Sequence, residues 1–261
     1  RQRPRAMSID ADQDQGQPLI AHLTELRDRL LRIVLAVLIC ALGLMPFSSE
    51  IYAFVSQPLQ QYLPEGSGMI ATEVASTFLA PFKLVLVSAV CLAIPVILHQ
   101  IWAFISPGMY RHEKRIAAPL LFSSVLLFYL GLAFAYVVVF PLVFGFFSSI
   151  TPEGVSYTPD ISRFLDTALK LFMAFGIAFE IPIATVLLIS AGVTSAEKLA
   201  AKRAYVVVAC FVVGMLLTPP DVISQMLLAL PMWLLFEVGI FFGRFIQSRP
   251  AANEEDQRPS L

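Results

Sequence analysis

An all-α integral membrane protein is the fold class this sequence predicts, and three observations predict it. The 261 residues are 57% hydrophobic and only 14% charged, against about 25% charged in an ordinary soluble domain. The apolar residues come in long blocks, and a bilayer core ~30 Å thick needs ~20 of them as helix. Fifteen of the eighteen Lys and Arg residues fall in segments that a six-span threading places on one side. The net charge of −1 says little beside that distribution.

Residues 1–17 are polar and read as a disordered tail. Met7 is a candidate initiator, and no cleavable signal peptide is expected, because the first apolar block begins only near Ile33. The stretch His22–Leu30, HLTELRDRL, is amphipathic. Leu19, Leu23, Leu26, Leu30 and Val34 share one helical face. Glu25–Arg29 and Asp28–Arg32 are spaced i, i+4 on the polar side, where such ion pairs contribute roughly 0.2–0.5 kcal/mol each. The plain reading is a solvated face held by its own charges.

A membrane domain is expected over residues 18–245, with spans at about 31–47, 82–105, 117–147, 164–191, 204–217 and 222–243, and a disordered tail over 246–261. The third span is long enough to tilt, whereas the fifth reaches only ~21 Å at 1.5 Å per residue. Pro95, Pro119, Pro141, Pro182 and Pro231 lie inside spans. Each removes a backbone hydrogen bond and bends its helix, so several helices can curve into a concave wall. Ordinary proline tolerance in membrane helices is the alternative.

Basic residues cluster before the first span, between spans two and three, between four and five, and after six. Lys83, Arg163 and Lys170 are the exceptions. The positive-inside rule then puts both termini in the cytoplasm. On the opposite face, the 48–81 loop is expected to hold short interfacial helices. Thr218-Pro219-Pro220-Asp221 is a tight turn in which Asp221 can cap the sixth span.

Glu180 stands out, because a charge near mid-span costs ~2.5–3.5 kcal/mol on insertion scales. It must face a polar cavity, pair with a donor, or carry a proton. Pro182 frees the carbonyl of Ala178, which makes local backbone irregularity expected. Glu113 is a lone acid among basic neighbours after the Pro107-Gly108 turn. Cys40, Cys91 and Cys210 sit in apolar blocks as packing residues. No HExxH, GxSxG or phosphate-loop motif is present, and His22, His99 and His112 show no ligand spacing. A catalytic role, a metal and a cofactor therefore have no support.

HLTELRDRL at 22–30, IWAFISPGMYRHE at 101–113, FMAFGIAFEIP at 172–182 and GMLLTPPD at 214–221 together resemble the TatC family, the polytopic core of the twin-arginine translocase, over residues 18–245. The resemblance implies six proline-bent helices in a concave structure in the bacterial inner membrane. It implies a receptor for Arg-Arg signal peptides of folded cargo, assembled with single-span TatA and TatB in a multimeric complex and driven by the proton-motive force. Nucleic acid has no place in that reading, whereas lipid does. By resemblance, Glu25 and Glu113 form the twin-arginine site, shaped by Arg27, Phe104 and Tyr110. Glu180 lines the intramembrane cavity, and Met215, Thr218 and Gln225 dock a partner. Carboxylates suit this task because guanidinium is a planar fork that lysine cannot imitate. Two other classes remain: a proton-coupled small-molecule transporter using Glu180, and an inert membrane scaffold.

Overall fold

The computed structural model describes residues 13–61, 68–105, 114–152, 158–217 and 221–247, which form ten α-helices. Helix α1 (Gln13–Leu44) is 32 residues long, about 48 Å. A bilayer core accounts for only part of it, and HLTELRDRL belongs to the same continuous helix. Residues 13–17, expected in a disordered tail, are helical instead. They lack apolar periodicity, but extending a formed helix costs far less than nucleating one. Leu35, Ile39 and Leu42 on α1 are more than half exposed, a surface that suits lipid rather than water.

Pro46 sits in a 3₁₀ turn, Met45–Phe47, from which α2 (Ser48–Gln60) follows and buries Val55, Ser56 and Leu59. The loop expected to hold several short helices thus begins with one helix of 13 residues. Helix α3 (Ser76–Ile105) starts before Pro81 and carries Pro81 and Pro95 inside it; α1 packs along its length. Helices α4 (Lys114–Phe134) and α5 (Phe140–Ser149) are one rod joined by a π turn at Ala135–Val139. Pro141, near the start of α5, has no N–H for the carbonyl four residues back, and the widened turn absorbs that misfit.

The next apolar block is broken in two, α6 (Ile161–Ala178) and α7 (Ile181–Ser190), with the break at Phe179–Glu180 just before Pro182. Ser195 caps the short α8 (Ala196–Ala201), and α9 (Arg203–Leu217) and α10 (Val222–Gln247) form the final hairpin. Among the described residues, five helical stretches are long and apolar enough to cross a membrane, and α9 is a shorter apolar helix.

Two glycines let α4 and α6 cross at backbone contact. A Cβ at Gly131 would lie 2.5 Å from the carbonyl oxygen of Phe175, and one at Gly176 would lie 2.7 Å from the Phe128 ring. Small residues serve this purpose in membranes, where packing replaces the hydrophobic effect between helices. Gly239 on α10 meets Pro182 and Thr185 of α7 in the same way.

At one end of the bundle, Asp160 ties two connections together. Its Oδ1 accepts from the backbone N–H groups of Ser162 and Arg163, capping α6, while Oδ2 accepts from the N–H and hydroxyl of Thr72. An isolated parallel bridge joins Ile70 to Asp160 beside it. The bond from the Thr72 hydroxyl, with these backbone donors, lowers the Asp160 carboxyl to about 2.

Two outcomes are expected in detergent unfolding experiments. Gly131→Ala should destabilise by about 1–3 kcal/mol, as overpacking does, because the obstructing atom is backbone. Gly43→Ala, with nothing within 4 Å, should not. Because the folded Asp160 value lies below the usual 3.8, its contribution is present above that pH and fades as pH falls toward about 2. The stability difference between wild type and Asp160→Asn should shrink across that window; a constant difference would contradict the carboxylate's role.

Candidate functional site

The Ala103 carbonyl on the last described turn of α3 has no N–H four residues on to pair with, because residue 107 is proline. Arg29 of α1 reaches across to it, donating from Nη2 to the Ala103 oxygen at 3.1 Å and from Nη1 to Gln100 Oε1 at 3.5 Å. Gln100 is buried, so the guanidinium is anchored at a helix–helix contact and also offsets the negative end of the α3 dipole.

The same guanidinium holds Glu25. Nε and Nη2 donate to Glu25 Oε1 at 3.0 and 2.6 Å, and Arg29 makes no use of Oε2. Arg29 is 18% exposed and Glu25 38%, so the cation is the fixed partner and the carboxylate the accessible one. The i, i+4 spacing of Glu25 and Arg29 therefore does more than decorate a surface. The expected Asp28–Arg32 pair does not form: Asp28 takes Arg27, at 3.0 and 2.8 Å from Nε and Nη2. Arg27 is thereby committed to its neighbour on the exposed side. Phe104 is partly buried on the last turn of α3, one residue from the Arg29 acceptor Ala103. Glu113 and Tyr110 lie outside the described residues.

Glu180 occupies the break between α6 and α7. Its backbone N–H bonds Ile177 and its carbonyl accepts from Ala184. The buried Ser124 hydroxyl of α4 donates to Oε2, and Oε1 is buried without a partner among the described residues. A half-satisfied carboxylate is costly inside lipid. The side chain lies against α4, whereas a separate hollow of about 470 Å³ is lined by α2, α3 and α4, with Leu44 of α1 and Leu169 and Phe172 of α6. Glu180 is not on the wall of that hollow.

At the α9–α10 hairpin, Met215 is exposed and Thr218 lies outside the described residues. Gln225 donates from Nε2 to the Phe211 carbonyl at 2.7 Å and packs on Gly214, so it ties the two helices. Asp221 caps α10 through the N–H of Ser224 at 2.7 Å. At the other end of the hairpin, Arg203 grips Glu237 with two bonds of 2.6 and 2.7 Å. Sequence reasoning missed this pairing, because nothing in a 34-residue separation announces it. The reach of Arg29 to α3 was missed for the same reason.

The sequence model of the family described as "Sec-independent protein translocase protein (TatC)" matches residues 21–231. A relative from Azotobacter chroococcum, named Sec-independent protein translocase protein TatC, is 61% identical over 97% of this chain and 100% of its own length. The protein of the same name from Escherichia coli K12 is 56% identical over 92% of this chain and 93% of its own. A crystal structure titled twin arginine translocase receptor TatC superposes with a TM-score of 0.78 at 38% identity, covering 87% of this chain and 99% of that one. The chain is a multi-pass, all-helical membrane protein that belongs to the TatC family.

Proposed function

We propose that this chain is the core signal-peptide receptor of a twin-arginine translocase in a bacterial inner membrane. It spans the bilayer six times over residues 18–245, with the 1–17 and 246–261 segments and both termini in the cytoplasm. It binds Arg-Arg signal peptides of folded cargo on that face and organises single-span TatA and TatB for export driven by the proton-motive force. One observation carries this reading: Glu25 is an accessible carboxylate already bonded to a guanidinium, on a helix fixed to the end of α3. A site that holds one guanidinium in this way has the chemistry to hold an incoming one. Glu113, which follows α3 in the chain, supplies the second carboxylate, and Arg27, Phe104 and Tyr110 shape the surroundings. Glu180 lines the concave membrane face that receives the deeper part of the peptide, apart from the hollow walled by α3 and α4. Met215, Thr218 and Gln225 dock the partner helices.

Glu25→Arg with Glu113→Arg should lower crosslinking to an Arg-Arg signal peptide by at least about tenfold, the scale of one charged hydrogen bond of about 1.5 kcal/mol, with membrane insertion unchanged. Normal crosslinking would remove the site. Export of a folded reporter should depend on this chain with an Arg-Arg signal and fail with Lys-Lys; equal export with both would favour a different class of transporter. Glu180→Leu should impair that export, and full export would show the carboxylate to be dispensable. Because Gln225 also ties α9 to α10, Met215→Ala is the cleaner test of docking: copurification of a small single-span partner should weaken while the hairpin stays intact.

A further inference from the structure

The three basic residues that depart from the one-sided charge pattern, Lys83, Arg163 and Lys170, fall on one strip where α3 meets α6. Lys83 Nζ reaches both oxygens of Asp166, at 3.0 and 3.3 Å. Asp166 lies between Arg163 and Lys170 on α6, three residues from one and four from the other, and would neutralise either if it were free. Lys83 occupies it. Asp160, the other nearby acid, has its two oxygens engaged by Thr72 and the start of α6.

Arg163 and Lys170 are therefore left over. Both are exposed, and neither side chain has a hydrogen bond or ion pair among the described residues. They are seven residues apart, so they lie on one stripe of α6, and Ile177, 60% exposed, continues that stripe another seven residues on. Phe82 and Leu86 of α3, beside Lys83, are also exposed. The cations are thus bordered by apolar side chains of a kind that face hydrocarbon.

Depth sharpens the problem. The helical stretch Ile161–Ser190 has 30 residues, about 45 Å, and overhangs a ~30 Å core by about 7 Å at each end when centred. Arg163 then sits at headgroup level. Lys170, about 14 Å into the helix, lies just inside the hydrocarbon, within snorkelling reach of the interface. Both side chains can converge on one point at the phosphate layer.

We propose that Arg163 and Lys170 bind the phosphate of an anionic phospholipid in the leaflet at the end of the bundle where Asp160 joins the two connections. The Lys83–Asp166 pair walls the site on its α3 side, and the acyl chains lie along Ile177 and Leu86. A phosphate is the occupant the geometry favours over a carboxylate on a neighbouring helix. It resides at the interface by nature, whereas a partner's carboxylate would have to be carried into lipid.

Native mass spectrometry of the intact chain in detergent, titrated with phosphatidylglycerol and with phosphatidylcholine of the same acyl chains, tests this. The wild type should prefer phosphatidylglycerol. Arg163→Ala with Lys170→Met should weaken its binding about twenty-five-fold, taking about fivefold per cation near an anionic surface. Lys170→Arg alone should keep it. Both changed positions are exposed, and unaltered helicity and monodispersity would certify the fold. Unchanged phosphatidylglycerol binding in the double variant overturns the proposal. So does equal binding of the two lipids by the wild type, or a double variant that retains lipid and loses a copurifying protein.

Discussion

The hydrocarbon core of a bilayer offers a charged side chain nothing to bond with, and the arrangement of this molecule follows from that constraint. Arg29 of α1 finds the Ala103 carbonyl of α3, Glu180 finds Ser124 of α4, Lys83 of α3 finds Asp166 of α6, and Arg203 of α9 finds Glu237 of α10. Each contact joins two helices, because a helix has already used its own backbone groups. Pairs of this kind are weak evidence for stability, but breaking one strands its partner. They act as register marks, specifying which helices meet and at what height, while van der Waals contact at Gly131, Gly176 and Gly239 supplies the close fit.

The two kinds of contact divide the molecule. The α4–α6 and α7–α10 crossings are made at backbone distance, and α4 and α6 belong to the principal core with Phe140, Leu165 and Phe175. Helix α1 is different: it packs along α3 and shows most of its apolar side chains to the surroundings. Arg29 also bonds its charged end to α3. The candidate recognition carboxylate therefore sits on the least enclosed helix, beside a side chain that ties that helix to its neighbour. That is a workable division for a receptor, with a firm wall of glycine-packed helices and an open rim that carries the binding group.

Hydropathy made the helical blocks legible, since each is long and apolar enough to be read without knowing its neighbours. Local chemistry was equally legible: the break before Pro182, the Asp221 cap and the Glu25–Arg29 pair depend on residues no more than four apart. Asp28 shows where local reasoning stops, because both Arg27 and Arg32 were in range and spacing alone could not choose between them. Asp160 and Thr72 are 88 residues apart, and Arg203 and Glu237 are 34 apart. Their pairing is set by how the helices pack, a property of the whole chain. Asp160 did carry a local signal, an acidic residue just ahead of an apolar helix, which marks an N-cap but says nothing of its second partner. Glu113, Tyr110 and Thr218 lie outside the described residues, so their roles rest on the sequence resemblance.

Arg29 has three acceptors, and that number bears on how Glu25 can act. Were Glu25 its sole partner, an incoming guanidinium would strand a cation next to the membrane, a loss comparable to the new bond. Here Arg29 keeps the Ala103 carbonyl and Gln100 whatever Glu25 does. Its two bonds to Glu25 also converge on a single oxygen, so a second guanidinium can take Oε2 before either is released. Exchange becomes stepwise, with no charge unpaired along the way. The charge-assisted bonds that hold the carboxylate in place before a ligand arrives thus leave it able to accept one.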